Sequence, residues 1–71
     1  MTLSDYLEAR KGELTLTAMA AAVDTSPGRL SQIKGGEKCS PKLALAIERF
    51  TGGQVDASAL CDDVARVRAA A

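Results

Sequence analysis

The sequence has no histidine and no tryptophan, and its only aromatic residues are Tyr6 and Phe50. Without histidine, and with only two cysteines, one chain cannot supply a four-ligand zinc site. The sequence offers no pair of a nucleophilic residue and a suitable base, and no glycine-rich loop with the spacing of a phosphate-binding motif. We therefore expect no enzyme activity and no cofactor. The scarcity of aromatics predicts a core of aliphatic side chains and alanine.

Net charge and long apolar runs are also absent. Nine basic and nine acidic residues cancel, which argues against nucleic-acid binding through bulk charge. No stretch approaches the roughly 20 apolar residues of a membrane span, and no basic leader precedes an apolar run. We therefore expect a cytoplasmic protein with no membrane partner. Cys39 and Cys61 are expected to be reduced and to act as small apolar residues, with redox sensing as the alternative.

The charges that are present are unevenly distributed. Residues 26–49 contain five basic and two acidic residues, and a local positive patch can bind phosphate even when the total charge is zero. The 71 residues are expected to form one domain, residues 1–71, whose small core favours dimerisation.

The spacing of apolar residues predicts an all-α fold, a compact bundle of about five short helices. The first helix covers residues 2–11 and ends at Gly12. Thr15 is a plausible N-cap for the second, whose apolar face ends at Val23, and Asp24 can form the following turn because aspartate tolerates the left-handed conformation. Ser26 and Pro27 are typical of an N-cap and first helical position, so a third helix should begin there.

Two further helices are predicted after the glycines at 35 and 36. The fourth begins at Ser40 and Pro41, and its buried stripe is expected to end with Phe50. The fifth covers residues 56–70, with an apolar face formed by Leu60, Cys61, Val64 and Val67. Three roles are open for the Leu60, Val64 and Val67 stripe: a dimer interface, a surface for a protein partner, or simple closure of the core.

Residues 15–35 have the pattern of a helix-turn-helix, and the segment LTAMAAAVDTSPGRLSQIKGG resembles this motif in the Cro and CI class of phage repressors. AIERFTGGQVDASAL, residues 46–60, resembles the segment that follows in the YdaS-like branch of that class. The resemblance implies a lambda-repressor-like fold in which the third helix enters the major groove of DNA. Three residues depart from the family pattern: Leu16 replaces a phosphate-bracing glutamine, Asp24 a glycine, and Thr25 an apolar residue.

On this resemblance the third helix reads bases. Pro27 and Gly28 stand at positions where the family usually has side chains that contact bases. Gly28 permits close approach of the helix to DNA but has no side chain to contact a base. Base reading is therefore expected mainly of Gln32. The other residues assigned to it are Ser31, Arg29 and Ser26. Glutamine can bond adenine and arginine guanine in a bidentate manner. Arg29 can alternatively bind a phosphate, and Ser26 fits a helix cap better than a base reader, although one hydroxyl can serve both roles. Thr15, Lys34, Lys38 and Lys42 are expected to contact the DNA backbone, although each lysine is also consistent with an ordinary solvated side chain.

The predicted function is a sequence-specific transcriptional regulator, a Cro-like repressor that binds a palindromic operator in double-stranded DNA as a homodimer. The alternative is a protein-interaction module, such as an antitoxin with a toxin partner, because the YdaS-like branch includes proteins described in those terms.

Overall fold

The computed structural model describes residues 2–70, which form six helices and no strand. Their bounds are α1 Leu3–Ala9, α2 Leu16–Ala22, α3 Pro27–Lys34, α4 Pro41–Phe50, α5 Ala57–Leu60 and α6 Asp62–Ala70. The all-α fold is therefore confirmed. None of these helices combines the length and apolarity that crossing a lipid bilayer requires.

The first helix begins at a reciprocal cap. The Thr2 hydroxyl accepts a hydrogen bond from the Asp5 N–H, and the Asp5 carboxylate accepts one from the Thr2 N–H. This satisfies two N–H groups that the first turn of a helix leaves free. The helix ends at Ala9, earlier than predicted, and Gly12, with a φ of +92°, lies in the turn that follows.

The α2 and α3 helices are joined by a tight turn and pack against each other, and α3 also packs against α1. Thr15 caps α2 by accepting from Ala18 N–H at 3.0 Å. Asp24 follows α2 with a φ of +61°, as predicted, and Ser26 caps α3 with Pro27 at its first position. The local pattern of cap, turn and cap thus determines where both helices begin and end.

The fourth helix has the predicted start, with Ser40 accepting from Leu43 N–H at 3.3 Å. Its end depends on Thr51, which is buried. The Thr51 hydroxyl donates to the Glu48 carbonyl and accepts from Val55 N–H, both at 3.1 Å. One side chain therefore satisfies backbone groups on both sides of the turn that connects α4 to α5.

The prediction of one C-terminal helix over 56–70, and with it the total of five, is wrong. Cys61 has extended backbone angles, φ −145° and ψ 122°, and separates α5 from α6. The reason is tertiary: the Leu60 carbonyl, which a continuous helix would use internally, accepts from Cys39 N–H at 2.8 Å. Asp62 and Asp63 then lie in the first turn of α6, where the helix dipole favours negative charge.

One cluster forms the core, and all six helices contribute to it; apart from Tyr6 and the two cysteines, its side chains are aliphatic residues, alanine and methionine. Met19, Leu30, Ile47 and Val55 are its largest fully buried side chains. Two predicted members are not in it: Phe50 is 37% exposed and Val67 is 69% exposed. Both lie near helix ends, where too few neighbouring elements remain to cover the face that periodicity assigns to the core.

Candidate nucleic-acid interface

The predicted base-reading residues lie on the outer side of α3. Leu30 and Ile33 are buried against the rest of the chain, which leaves Gly28, Ser31 and Gln32 exposed on the opposite side. A methyl group added at Gly28 would meet no atom within 4 Å. This face of α3 is therefore polar, free of acidic side chains and open around Gly28.

Ser26 and Thr15 both act as helix caps. The Ser26 hydroxyl accepts from Arg29 N–H at 3.1 Å, just as the Thr15 hydroxyl accepts from Ala18 N–H. A capping hydroxyl keeps its own proton, so it can still donate to a phosphate or a base edge. The cap and the predicted DNA contact are compatible at both positions.

Arg29 is engaged within the chain. Its Nη2 donates to the Lys38 carbonyl at 3.0 Å, its Nη1 donates to Gln32 Oε1 at 3.4 Å, and its Nη1 lies 3.5 Å from a Glu37 carboxylate oxygen. The guanidinium therefore links α3 to the loop that follows it. To bind a guanine or a phosphate as predicted, it would have to exchange at least one of these contacts.

The Lys38 ammonium is likewise held by the C-terminal part of the chain. It donates to the Ala59 carbonyl at 3.1 Å and lies 3.8 Å from a carboxylate oxygen of Asp62. Its side chain is 54% exposed, so it remains accessible to solvent. The contacts nevertheless identify a structural role that the prediction of phosphate binding did not include.

Lys34 and Lys42 differ from Lys38. Both are exposed, and within residues 2–70 their ammonium groups have neither a hydrogen-bond nor an ion-pair partner. Lys42 lines a shallow cleft between the end of α2 and the start of α4, together with Asp24 and Ser40. Of the three lysines predicted to bind phosphate, Lys34 and Lys42 can therefore bind an anion without breaking a contact within the described residues.

The sequence analysis did not predict a cluster of charged residues that joins α4, the start of α5 and α6. Arg68 makes two hydrogen bonds to Glu48 and one to Asp56. These bonds from Arg68, followed by one from Ala57 N–H, lower the pKa of Glu48 to about 2, and the Glu48 carboxylate in turn raises the pKa of Arg68. The three residues are 8, 12 and 20 positions apart in the sequence. The three- and four-residue spacing of neighbours on a helix therefore does not predict this cluster.

The three residues of the predicted dimer interface, Leu60, Val64 and Val67, differ in how far they are buried. Leu60 and Val64 belong to the core, and Val67 is exposed. Beside Val67 lies Leu45, which is 40% exposed. The two line a shallow apolar groove of about 300 Å³ whose other lining residues are Pro41, Asp63, Val64 and Arg68.

Within residues 2–70, no three side chains of the histidine, cysteine, aspartate and glutamate types are grouped so that they could hold a metal ion. In comparisons with known proteins, no protein-family profile, no curated protein and no solved structure matches this chain.

Proposed function

We propose that this protein is a sequence-specific DNA-binding transcriptional regulator in which α2, the turn at Asp24 and α3 form a helix-turn-helix. The observation that carries the proposal is the exposed face of α3. That face is polar and free of acids, while Leu30 and Ile33 are buried on the other side of the helix, which packs against α2 and α1. Such a face suits the major groove, where every base pair presents hydrogen-bond donors and acceptors.

The contacts within the chain suggest a division of roles. Ser31 is free to read bases, and Gln32 reads them once its Oε1 gives up the 3.4 Å bond from Arg29. Gly28 allows close approach, and Ser26 donates its hydroxyl proton at the start of the helix. Lys34 and Lys42 supply backbone contacts, together with the Thr15 hydroxyl. Arg29 and Lys38 mainly hold the loop after α3 in position, and Lys38 adds positive charge near the DNA.

The regulator is proposed to act as a homodimer on a palindromic operator, as a repressor that occludes a promoter. Val67 and Leu45, two exposed apolar residues that line one groove, are available for such an interface. Along α6, acidic Asp62 and Asp63 lie at the start and Arg66 and Arg68 near the end. Two copies of α6 packed antiparallel would therefore bring opposite charges together.

Selection of bound sites from random double-stranded DNA, with the purified protein, tests this function. We expect a palindrome whose half-sites are separated by about one helical turn, roughly 34–36 Å. Recovery of no enriched sequence, with no salt-sensitive binding at micromolar protein, would refute the proposal.

Variants test the division of roles. Gln32→Ala should relax the base preference at one position of each half-site, with discrimination reduced by about 1–3 kcal/mol. Lys34→Ala should weaken binding to all sequences alike and reduce the salt dependence by about one phosphate contact. Arg66→Ala is the matched control on α6, which should leave binding to a single half-site unchanged. Equal effects of Gln32→Ala and Lys34→Ala on base preference would contradict the assignment.

The apolar groove beside Val67 and Leu45 favours a second candidate function, a protein-interaction module such as an antitoxin bound to a toxin. Here the groove receives an apolar segment of a partner. A neighbouring toxin gene, together with loss of toxin binding in Val67→Asp and unaffected DNA binding in that variant, would support this function over the first.

A further inference from the structure

The two cysteines lie next to each other where the loop after α3 meets the break between α5 and α6. Cys39 N–H donates to the carbonyl of Leu60, the residue before Cys61, at 2.8 Å. With standard backbone dimensions, this bond leaves the Cα atoms of Cys39 and Cys61 at most about 7 Å apart, and closer for any bent path. Disulfides span Cα separations of about 4.4–6.8 Å.

Both side chains point into the same core. Cys39 is 8% exposed and Cys61 is 3% exposed, and both are free thiols. Burial raises the pKa of Cys39, and the charge that Cys61 would carry raises it further.

The backbone around the pair is held by independent contacts. Lys38, which precedes Cys39, donates to the Ala59 carbonyl at 3.1 Å and pairs with Asp62. Cys61 has an extended conformation, and its side chain is buried. The contacts on both sides of the pair therefore fix the two segments against each other before any bond forms between the sulfurs.

We propose that Cys39 and Cys61 form a modification site at which a small oxidant such as a peroxide produces an intramolecular disulfide. In this reaction one thiol attacks the peroxide oxygen and becomes a sulfenic acid, releasing water. The second thiol then attacks that sulfur and displaces hydroxide, which leaves as a second water. Two S–H bonds are exchanged for one S–S bond, and the two electrons reduce hydrogen peroxide to two molecules of water.

The environment of the two cysteines determines how fast peroxide oxidises them. The raised pKa of Cys39 keeps its thiol protonated, and the thiolate is the reactive form. Both thiols are also buried, which limits the access of peroxide to them. The disulfide is therefore expected to accumulate during sustained oxidation and not during brief exposure to peroxide. Both cysteines belong to the buried core, and the chemistry of the pair holds whether or not the chain binds DNA.

The expected consequence of oxidation is a more stable fold. The disulfide would close a ring that contains all of α4 and α5, which reduces the conformational freedom of the unfolded chain. For a domain of this size, we expect the midpoint of thermal unfolding to rise by roughly 10 °C.

Incubation of the folded protein with hydrogen peroxide, followed by alkylation and intact-mass measurement, tests the proposal. The expected product is a monomer that is lighter by two hydrogen atoms, carries no alkyl group and regains both thiols after reduction. Fully alkylated protein, added oxygen atoms without a cross-link, or a disulfide-linked dimer would each overturn the proposal.

Two further measurements test the proposal, and the second uses the wild-type protein, so that misfolding of a variant cannot affect it. Cys39→Ser and Cys61→Ser each leave one thiol, so neither variant should give the lighter product. The oxidised wild-type protein should unfold at a higher temperature than the reduced protein. A lower unfolding temperature, or a cross-link that forms only when urea is present, would show that the folded state does not hold the pair in bonding geometry and would overturn the proposal.

Discussion

Arg68 and Glu48 join α6 to α4 through two parallel hydrogen bonds, from Nη1 to Oε2 and from Nη2 to Oε1, both 2.8 Å long. The same Nη1 lies 2.7 Å from Asp56 Oδ1, and Glu48 Oε2 also accepts from Ala57 N–H at 2.9 Å. One arginine and one glutamate thus connect α4, the start of α5 and α6. Paired charged hydrogen bonds of this kind are stronger and more directional than single ones.

The low pKa of Glu48 predicts an acid sensitivity of the fold. Because the pKa is about 2 in the folded state, against an ordinary value of 4.5, the unfolded chain binds a proton at Glu48 before the folded chain does. The stability from this group is complete above about pH 4.5 and is lost as the pH falls towards 2. Thermal unfolding of the wild-type protein between pH 6 and 2 should therefore show a falling midpoint in that range.

Glu48→Gln identifies the origin of this dependence. The variant cannot form the ion pair, so it should unfold at a lower temperature than wild type at pH 7 and lose part of the pH dependence between 4.5 and 2. Arg66→Ala is the control for loss of an exposed ion pair. Arg66 lies on α6, as Arg68 does, and within residues 2–70 its ion pair is with Asp63, at 3.4 Å, with 76% of its side chain exposed. An unchanged pH profile in Glu48→Gln would contradict the assignment.

The sequence predicts the parts of this fold that depend on local chemistry. Thr15, Ser26 and Ser40 cap the helices that follow them, and Asp24 adopts the left-handed conformation. Each capping hydroxyl accepts a hydrogen bond from a backbone N–H three residues away, and the conformation of Asp24 is a preference of that residue itself. Such preferences need no knowledge of the tertiary structure.

The remaining features depend on residues that are distant in sequence. Apolar residues at 57, 60, 61 and 64 fit a continuous helix, and only the bond from Cys39 to the Leu60 carbonyl accounts for the break. The predicted DNA contacts of Arg29 and Lys38 follow from the resemblance, from their positions on and after the third helix, and from their charge. Their contacts with backbone carbonyls of residues 38 and 59 follow from how the loop after α3 packs, which periodicity does not describe.

Asp24 offers a test of backbone strain. Its φ of +61° is tolerated by aspartate, costs about 1 kcal/mol or more for alanine, and costs nothing for glycine. Asp24→Gly should therefore be more stable than Asp24→Ala by about 1 kcal/mol, as measured by urea unfolding. Ala21→Gly, at an exposed position within α2, should by contrast destabilise by about 0.5–1 kcal/mol. If glycine destabilises the chain equally at both positions, the turn is not left-handed at Asp24.

Ser26 allows its cap and its proposed DNA contact to be separated. Ser26→Ala removes the acceptor for Arg29 N–H and should cost about 1 kcal/mol of stability. Ser26→Asp restores the cap and should recover most of that stability, but its carboxylate would repel DNA phosphates and weaken binding to every sequence. Urea unfolding and fluorescence anisotropy with the selected DNA measure the two effects. Undiminished DNA binding by Ser26→Asp would remove Ser26 from the interface.

Gly28 is the position at which stability and proposed function should change in opposite directions. It lies within α3, and a side-chain methyl group there would meet no atom within 4 Å. Gly28→Ala should therefore stabilise the folded state by about 0.5–1 kcal/mol, because alanine loses less backbone entropy than glycine in a helix.

If the start of α3 approaches DNA closely, the methyl group of Gly28→Ala occupies space at the interface, and affinity for the selected operator should fall. Ser31→Ala serves as the comparison, since it alters the same face of α3 without adding bulk and should change base preference more than overall affinity. Urea unfolding and DNA titration of both variants decide the matter. A Gly28→Ala protein that is more stable and binds the operator as tightly as wild type would mean that the start of α3 does not lie against the DNA, and the reading surface would then have to begin at Ser31.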